Sequence, residues 1–146
     1  MTLKQYLSQA VKLDKVIDSS FNLLEHLKHF GLKSHSFRDV RNKNHSKPES
    51  QVERALIKIH KLEERLNEDI DRYVDLQEEI IGLINNLEDL EERALLERRY
   101  LLGQTWDKVA EECFMSLRSV HYIHNKALKK LEPFYNKIKE DNKNVS

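Results

Sequence analysis

Four hydrogen-bonding side chains recur at helical spacing in the C-terminal third of the chain. Arg118, Tyr122, Asn125 and Lys129 follow one another at intervals of four, three and four residues. At about 100° per residue they all fall between roughly 140° and 200° from Val120 on a helix. Guanidinium, phenol, amide and ammonium groups can donate to base edges and phosphate oxygens in a major groove. The stripe therefore predicts a face that reads nucleic acid, and the alternative is an ordinary solvated helix face.

Two short helices are predicted to position this face. Gly103 ends the stretch "LLERRYLLG", Thr105 can cap a helix "WDKVAEEC", and Ser116 can cap the helix that follows. Two short helices separated by three or four residues have the layout of a helix-turn-helix. The residues that we expect to share its core are Leu96, Tyr100, Trp106, Val109, Ala110, Cys113, Met115, Val120, Ile123, Ala127 and Leu131.

The predicted DNA contacts fall into two groups, one for the bases and one for the phosphates. The side chains expected to approach bases are Ser116, Arg118, Ser119, Tyr122 and Asn125. The side chains expected to hold phosphates are Thr105, Lys108, Lys126, Lys129 and Lys130, with His121 on the flank of the helix as a further phosphate contact.

Phe114 departs from the usual pattern of the motif. Its position in the turn often requires a positive φ, which glycine accepts and a bulky side chain resists by about 1 to 2 kcal/mol. We expect Phe114 either to fill a local apolar pocket or to be exposed on the turn. A right-handed turn with Phe114 in the main core would contradict the alignment of the motif.

The sequence gives little support for metal binding or for catalysis. His121 and His124 are three residues apart, as are His26 and His29, but neither pair has an obvious third metal ligand. His124 falls beside the apolar face, so a structural role is predicted for it. The single cysteine, Cys113, is predicted to be a small core residue. The chain has no Gly-rich phosphate loop, His-Glu metal motif or nucleophile elbow, so we expect neither an enzyme nor a cofactor.

The composition predicts an all-α protein. Only 3 glycines and 2 prolines occur in 146 residues, far below the usual shares of about 7% and 5%. Charged residues make up 34% and hydrophobic residues 39%, which suits thin helical layers that gain stability from helix packing or oligomerisation. The longest apolar run, "IIGLI", is far shorter than the ~20 residues of a membrane span, and no signal peptide is recognisable. We therefore expect a soluble, cytoplasmic protein with no membrane partner.

The charges are segregated although their sum is zero. Residues 1–50 hold 9 basic and 5 acidic side chains, residues 51–92 hold 5 and 13, and residues 93–131 hold 8 and 4. An acidic middle (−8) therefore precedes a basic module (+4). This arrangement is typical of a DNA binder whose spacer must not itself adhere to phosphate.

The sequence of the N-terminal half predicts two long helices. A capping box of Thr2 and Gln5 begins the first, which is expected to run to about His29 and to stop at Gly31. Residues 32–50 lose the periodicity and are predicted to be a mobile basic loop. Two capping boxes compete for the start of the second helix, Ser46 with Glu49 and Ser50 with Glu53.

A heptad-like apolar series runs from Val52 to Leu87, and only Asp69 interrupts it. It predicts a long antiparallel, coiled-coil-like helical hairpin that oligomerises, most simply as a dimer. Residues 85–92 contain a restart box of Asp89 and Glu92, which favours a hinge there over a helix that continues to residue 102. The predicted domains are therefore a hairpin over 1–87, a helix-turn-helix domain over 88–134, and a disordered or frayed tail over 135–146.

The C-terminal stretch resembles the promoter-reading fourth region of bacterial sigma factors. The resemblance rests on the helix ending "RRY", the support helix "TWDKVAEE" and the recognition helix "SVHYIHNKALKKL". Together with "KQYLSQAVKLDKVID" and "DIDRYVDLQEEI", residues 2–132 resemble a family of phage and prophage proteins related to the ArpU/RinA-type regulators of late phage genes. This resemblance implies transcriptional control in a bacterial host cell, with double-stranded promoter or operator DNA as partner and bacterial RNA polymerase as a further candidate partner.

Two alternatives remain open from the sequence. One is a helical adaptor that docks on RNA polymerase or another protein. The other is a DNA-packaging protein of the small-terminase kind, which also combines a helix-turn-helix with oligomerising helices.

Overall fold

The computed structural model describes residues 1–38 and 48–145, with side chains over 1–30 and 51–145. All regular structure in these residues is helical, which confirms the predicted all-α class. The helices are α1 (Leu3–Arg38), α2 (Pro48–Ile84), α3 (Leu90–Leu96), a π-helical turn (Glu97–Leu101), α4 (Trp106–Glu112) and α5 (Leu117–Val145).

Helix α1 begins as predicted and ends later. The Thr2 backbone N–H donates to Gln5 Oε1 at 2.9 Å, and the Gln5 N–H donates to Thr2 Oγ1 at 3.2 Å, so the capping box is formed. The helix then continues through Gly31 to Arg38. The predicted stop at Gly31 is wrong, because a glycine within a helix costs only about 1 kcal/mol and does not by itself end it.

The prediction of a loop over 32–50 is wrong at both ends of that range. Residues 32–38 belong to α1 and residues 48–50 to α2, while 39–47 lie outside the described residues. Helix α2 begins at Pro48, where a proline loses no hydrogen bond because the first N–H groups of a helix have no intrahelical partner. The capping box at Ser50 is therefore not the start of the helix, and Ser46 lies outside the described residues.

The chain of helices is broken between α2 and α3, where the sequence predicted a hinge. Helix α2 ends at Ile84, and the Asp89 side chain caps α3 by accepting from the N–H groups of Glu91 (2.9 Å) and Glu92 (3.2 Å). The alternative of one helix running to residue 102 is wrong. The Glu92 carboxylate, expected to complete the capping box, instead accepts two hydrogen bonds from Lys130 Nζ.

The chain divides into two compact units. One consists of Met1–Lys12 and Tyr73–Ser146, and the other of Leu13–Arg72. Helices α1 and α2 touch in both units: the Tyr6 hydroxyl donates to Glu79 Oε2 at 2.8 Å in the first, and Lys28 Nζ lies 3.2 Å from Glu63 Oε1 in the second. The helix break near residue 87 therefore lies inside a compact unit and not at its boundary.

The C-terminal tail is helical, contrary to the prediction for 135–146. Helix α5 continues past Pro133 to Val145, and residue 146 lies outside the described residues. The buried Tyr135 explains the difference, because its hydroxyl donates to the Met1 carbonyl at 3.0 Å and its ring centroid lies 5.2 Å from that of Tyr6. Contacts distant in sequence thus order a segment that has little apolar pattern of its own.

Within residues 1–38 and 48–145, none of the helices combines the length and the apolar character that a bilayer crossing requires.

Candidate nucleic-acid interface

Helices α4 and α5 begin at the two caps predicted from the sequence. The Lys108 N–H donates to Thr105 Oγ1 at 3.2 Å at the start of α4. The Ser119 N–H donates to Ser116 Oγ at 3.2 Å at the start of α5. Val109 and Val120 are fully buried. Each cap satisfies a backbone N–H that has no partner within its helix, so the local sequence defines where both helices start.

Phe114 occupies the turn between α4 and α5 in a left-handed conformation, with φ 55. The Phe114 N–H donates to the Glu111 carbonyl at 3.3 Å, and the Met115 N–H donates to the Ala110 carbonyl at 2.9 Å. These two bonds form a Schellman motif, in which the left-handed residue is usually glycine. Phe114 is 96% exposed, which is the second of the two expected placements, and the right-handed, buried turn that would have contradicted the alignment of the motif is not observed.

The buried and the exposed residues of α5 lie on opposite faces of the helix, as predicted. Val120, Ala127 and Leu131 are fully buried against the neighbouring helices. The exposed residues of the helix and its cap include Ser116, Arg118, Ser119, His121, Tyr122, Asn125, Lys126 and Lys129. Of the expected core residues, Trp106, Cys113, Met115 and Ile123 are only half-buried. A continuous polar surface therefore lies opposite the buried side of α5.

A groove of about 450 Å³ opens beside this exposed face. It brings together Arg118, Ser119 and Tyr122 from the predicted set, and Met115 forms part of its apolar wall. Glu91, from the first turn of α3, also lines it. The sequence placed Glu91 near a helix start but did not show which neighbour it would face. The groove thus adds a carboxylate acceptor to a surface otherwise composed mainly of donors.

Lys130 is held in an ion pair within the protein. Its Nζ donates to both carboxylate oxygens of Glu92, at 2.9 and 3.1 Å, and the Glu92 side chain is only 2% exposed. The hydrogen bond to Glu92 raises the pKa of Lys130. Lys126 Nζ lies 4.0 Å from the same carboxylate. The prediction of Lys130 as a phosphate contact is therefore replaced by a structural role joining α5 to α3.

Lys108 is also paired within the module. Its Nζ lies 3.2 Å from Glu112 Oε1, one helical turn further along α4, and Arg98 Nη1 lies 3.4 Å from the other oxygen of that carboxylate. Lys108 is nevertheless half exposed, and an exposed pair of this kind contributes little stability. Lys108 therefore keeps enough freedom to turn toward an anion.

His124 is a buried structural residue, in line with its predicted place beside the apolar face. Its Nε2 and the Tyr100 hydroxyl share a hydrogen bond of 2.6 Å, and its side chain is 3% exposed. Burial, assisted by the positive charges of Lys4 and Arg99, lowers the pKa of His124 to about 4. Burial also raises the pKa of Tyr100 to about 12. His124 is therefore neutral at pH 7.

His121 lies on the surface against Trp106, with ring centroids 4.8 Å apart. Its ring is thus held on the flank of α5, where a phosphate contact was predicted. Among the described residues, no three His, Cys, Asp or Glu side chains come together as a metal site.

Arg99 is a residue of this surface that sequence reasoning missed. The π-helical turn is marked by the Leu102 N–H donating to the Glu97 carbonyl at 3.0 Å. It places the Arg99 guanidinium 4.3 Å from the centre of the Trp106 ring, and Arg99 Nη1 donates to the Gln104 carbonyl at 2.9 Å. The cation–π contact and the hydrogen bond together hold the positive charge of Arg99 beside the start of α4. Nothing in the local pattern "ERRYL" distinguishes a π turn from an α turn.

No protein-family model, curated protein or solved structure matches this chain.

Proposed function

We propose that the chain is a phage-type regulator of transcription that reads double-stranded promoter or operator DNA with α5, while α4 acts as the support helix. The observation that carries the proposal is the polar stripe on α5, where Arg118, Tyr122 and Asn125 are exposed opposite fully buried Val120 and Ala127. A rigidly packed helix with such a face can enter a major groove without losing its own core. The resemblance to the fourth region of sigma factors supports the same assignment.

The proposed contacts follow the exposed surface. Ser116, Arg118, Ser119, Tyr122 and Asn125 approach the bases, and Thr105, Lys108, His121, Lys126 and Lys129 approach the phosphates. Lys130 is omitted because its ammonium group is bound to Glu92. Arg99 is added on the phosphate side, since it is fixed beside the N-terminus of α4.

The distribution of charge along the chain supports placing the DNA contacts in the C-terminal module. Residues 51–92 carry a net charge of −8 and residues 93–131 a net charge of +4. Phosphate attraction is therefore concentrated in the C-terminal module, while the long α2 repels DNA. The hairpin of α1 and α2 is proposed to link two chains rather than to bind nucleic acid.

The test is a gel shift of the full chain against DNA fragments from its own genomic neighbourhood, at a stated salt concentration. A sequence-selective shift that survives competitor DNA at physiological salt is expected. If every fragment shifts equally, or none does, the regulator proposal fails and the adaptor becomes the better explanation.

Two single substitutions separate base reading from phosphate binding. We expect Arg118→Ala to weaken specific binding by about 1 to 3 kcal/mol with less effect on random DNA. Lys129→Ala should instead weaken binding to all sequences and reduce the slope of log K against log salt by about one. Titration at several salt concentrations measures both quantities. Equal losses on specific and random DNA for Arg118→Ala would remove its base-reading role.

One observation favours the adaptor as a second candidate function. Phe114, Leu90 and Leu102 are large apolar side chains that are 96%, 73% and 66% exposed on the same C-terminal module. Exposed aromatic residues are enriched where proteins bind other proteins. Binding of the full chain to purified bacterial RNA polymerase, abolished by Phe114→Ser and retained by Arg118→Ala, would support this role.

A further inference from the structure

Basic side chains from separate segments of the chain meet around the rings of Trp106 and His124. The Arg99 guanidinium lies 4.3 Å from the centre of the Trp106 ring, and the His121 ring centroid lies 4.8 Å from the same centre. The buried His124 ring packs edge-on against Trp106, with 4.7 Å between the centroids. His121 is exposed and Arg99 is half-buried, so both can be reached from solvent on this side of the module.

The start of α1 packs against the same part of the module. A Cβ added to Gly103 would lie 3.5 Å from Val11 Cγ1, so the Val11 side chain contacts the Gly103 backbone. Gly103 follows the π-helical turn that carries Arg99. Lys4 precedes Val11 by seven residues and therefore falls within about 20° of it on the same face of α1. Lys4 is exposed on that face.

The charges that act on His124 place Lys4 in the same cluster. Burial is the main cause of the lowered pKa of His124, and the positive charges of Lys4, His121 and Arg99 lower it further. Among the described residues, none of these three forms an ion pair with a carboxylate. We call Lys4, Arg99 and His121 the flank cluster. Basic groups without a negative partner attract an anion, and an imidazole N–H can donate to a phosphate oxygen even when the ring is neutral.

Local helix stability does not explain the presence of Lys4. It lies in the first turn of α1, where no acidic residue accompanies it and where the helix dipole disfavours a positive charge. A role toward an anion outside the helix gives a reason for the residue.

We infer that the flank cluster binds the phosphate backbone of double-stranded DNA, with Lys4 of α1 as a contact of its own beside Arg99 and His121. The inference rests on the proposed reading of DNA by α5. His121 falls near 100° from Val120, next to the exposed stripe that begins at about 140°. Because the phosphate strands run along the flanks of a helix placed in the major groove, the flank cluster lies where one strand would pass.

The first turns of α1 thereby differ from the rest of the hairpin. Met1–Lys12 belongs to the same compact unit as α5, whereas Leu13–Arg72 forms the other unit. The remaining length of α1 and α2 keeps the proposed role of linking two chains.

The salt dependence of DNA binding tests the contribution of Lys4. Dissociation constants of the full chain are measured for a labelled duplex from its genomic neighbourhood and for a random duplex, at several salt concentrations. Lys4→Ala should weaken binding to both duplexes equally, by about three- to tenfold at physiological salt, and should reduce the slope of log K against log salt by about one. Lys137→Ala is the matched control, because Lys137 is exposed on the opposite flank of α5 and its loss should leave the slope unchanged.

Single uncharged methylphosphonates in the duplex locate the contact. Neutralising the phosphate that Lys4 contacts should weaken binding of the wild type, whereas the same replacement should cause no further loss in Lys4→Ala. His121→Ala should lose its sensitivity at the same phosphate or at its neighbour on that strand. Coupling of Lys4 and His121 to distant phosphates would contradict a common cluster.

Two further variants separate a DNA contact from a structural role. Lys4→Arg keeps the charge and should retain the wild-type slope, so an equal loss in Lys4→Arg and Lys4→Ala would overturn the inference. The urea midpoint of Lys4→Ala should match that of the wild type, because the side chain is exposed and alanine favours the helix.

The result also distinguishes this inference from the regulator proposal. If the wild type binds DNA selectively and Lys4→Ala leaves the slope unchanged, the inference fails and the regulator proposal stands. If the wild type binds all duplexes equally and Lys4→Ala still reduces the slope, the regulator proposal fails and the phosphate contact stands. A wild type that binds no DNA overturns both.

Discussion

Phe114 shows how a single residue can fit a motif and still depart from its usual chemistry. The Schellman bonds of Phe114 and Met115 end α4 regardless of side chain, because they involve only backbone groups. The phenyl ring is almost completely exposed and so contributes little packing in the isolated chain. The strain at φ 55 is therefore not offset by packing of the ring.

Phe114→Gly should stabilise the folded chain by about 0.5 to 1 kcal/mol, because glycine adopts a positive φ without a Cβ clash. Urea unfolding measures the change. Phe114→Ala is the control, since it removes the ring but keeps the Cβ and should leave stability nearly unchanged. Equal stability of the Gly and Ala variants would show that the turn is not strained.

His124 links stability to pH through its burial. Its pKa is about 4 in the fold against 6.5 in an unfolded chain, so between these values the unfolded chain binds a proton that the folded chain does not. Stability should therefore fall as pH decreases from about 6 to about 4, with a contribution approaching 1.4 kcal/mol per pH unit.

Urea unfolding midpoints of the wild type and His124→Gln across this range isolate the contribution of His124. Glutamine can still hydrogen-bond to Tyr100 but does not titrate, so the difference between the two curves should shrink as pH falls. If the difference between the two urea midpoints does not change with pH, the folded and unfolded chains bind a proton at His124 equally well.

At the scale of helices, the ion pair of Glu92 and Lys130 fixes how α3 packs on α5. A carboxylate that is 2% exposed needs a charged or hydrogen-bonding partner, and Lys130 supplies it from an exposed position of α5. The sequence showed both residues at suitable helix positions. It could not show their pairing, because the two lie 38 residues apart and only helix packing brings them together.

Lys130→Met should lower the urea midpoint clearly, because the buried Glu92 carboxylate then retains only Lys126 at 4.0 Å. Adding Glu92→Leu to Lys130→Met should recover most of the loss, since no buried charge remains unpaired. The matched control is Lys129→Met on the exposed side of α5, which should leave the midpoint nearly unchanged. If Lys129→Met and Lys130→Met had equal effects, the ion pair would have no structural role.

At the scale of the whole molecule, the two ends of the described chain lie in one compact unit. Tyr135 of α5 contacts both the Met1 carbonyl and the Tyr6 ring, and Lys139 Nζ lies 4.4 Å above the Tyr135 ring. The start of α1 therefore forms part of the core that holds α5. This explains why the C-terminal tail is helical rather than disordered.

Tyr135→Ala should cost about 3 kcal/mol, because it leaves a cavity beside Tyr6. Tyr135→Phe should cost about 1 kcal/mol, because it removes only the hydrogen bond to Met1. Phe134→Ala is the neighbouring control, as that ring is 40% exposed. Chemical unfolding measures all three, and a Tyr135→Ala variant as stable as Phe134→Ala would show that the tail is not docked.

The sequence by itself determined the all-α class, the helix break at Asp89, the starts of α4 and α5, and the two faces of α5. These features depend on local interactions: caps act within three residues, and helical periodicity is fixed by backbone geometry. Only the tertiary structure decided that Lys130 binds Glu92 and that the tail is ordered, because both depend on contacts between segments far apart in sequence. Arg99 lies on Trp106 because of the π-helical turn, which the local pattern does not distinguish from an α turn. Helix α1 continues past Gly31 because the helix propensity of one glycine is a weak local preference.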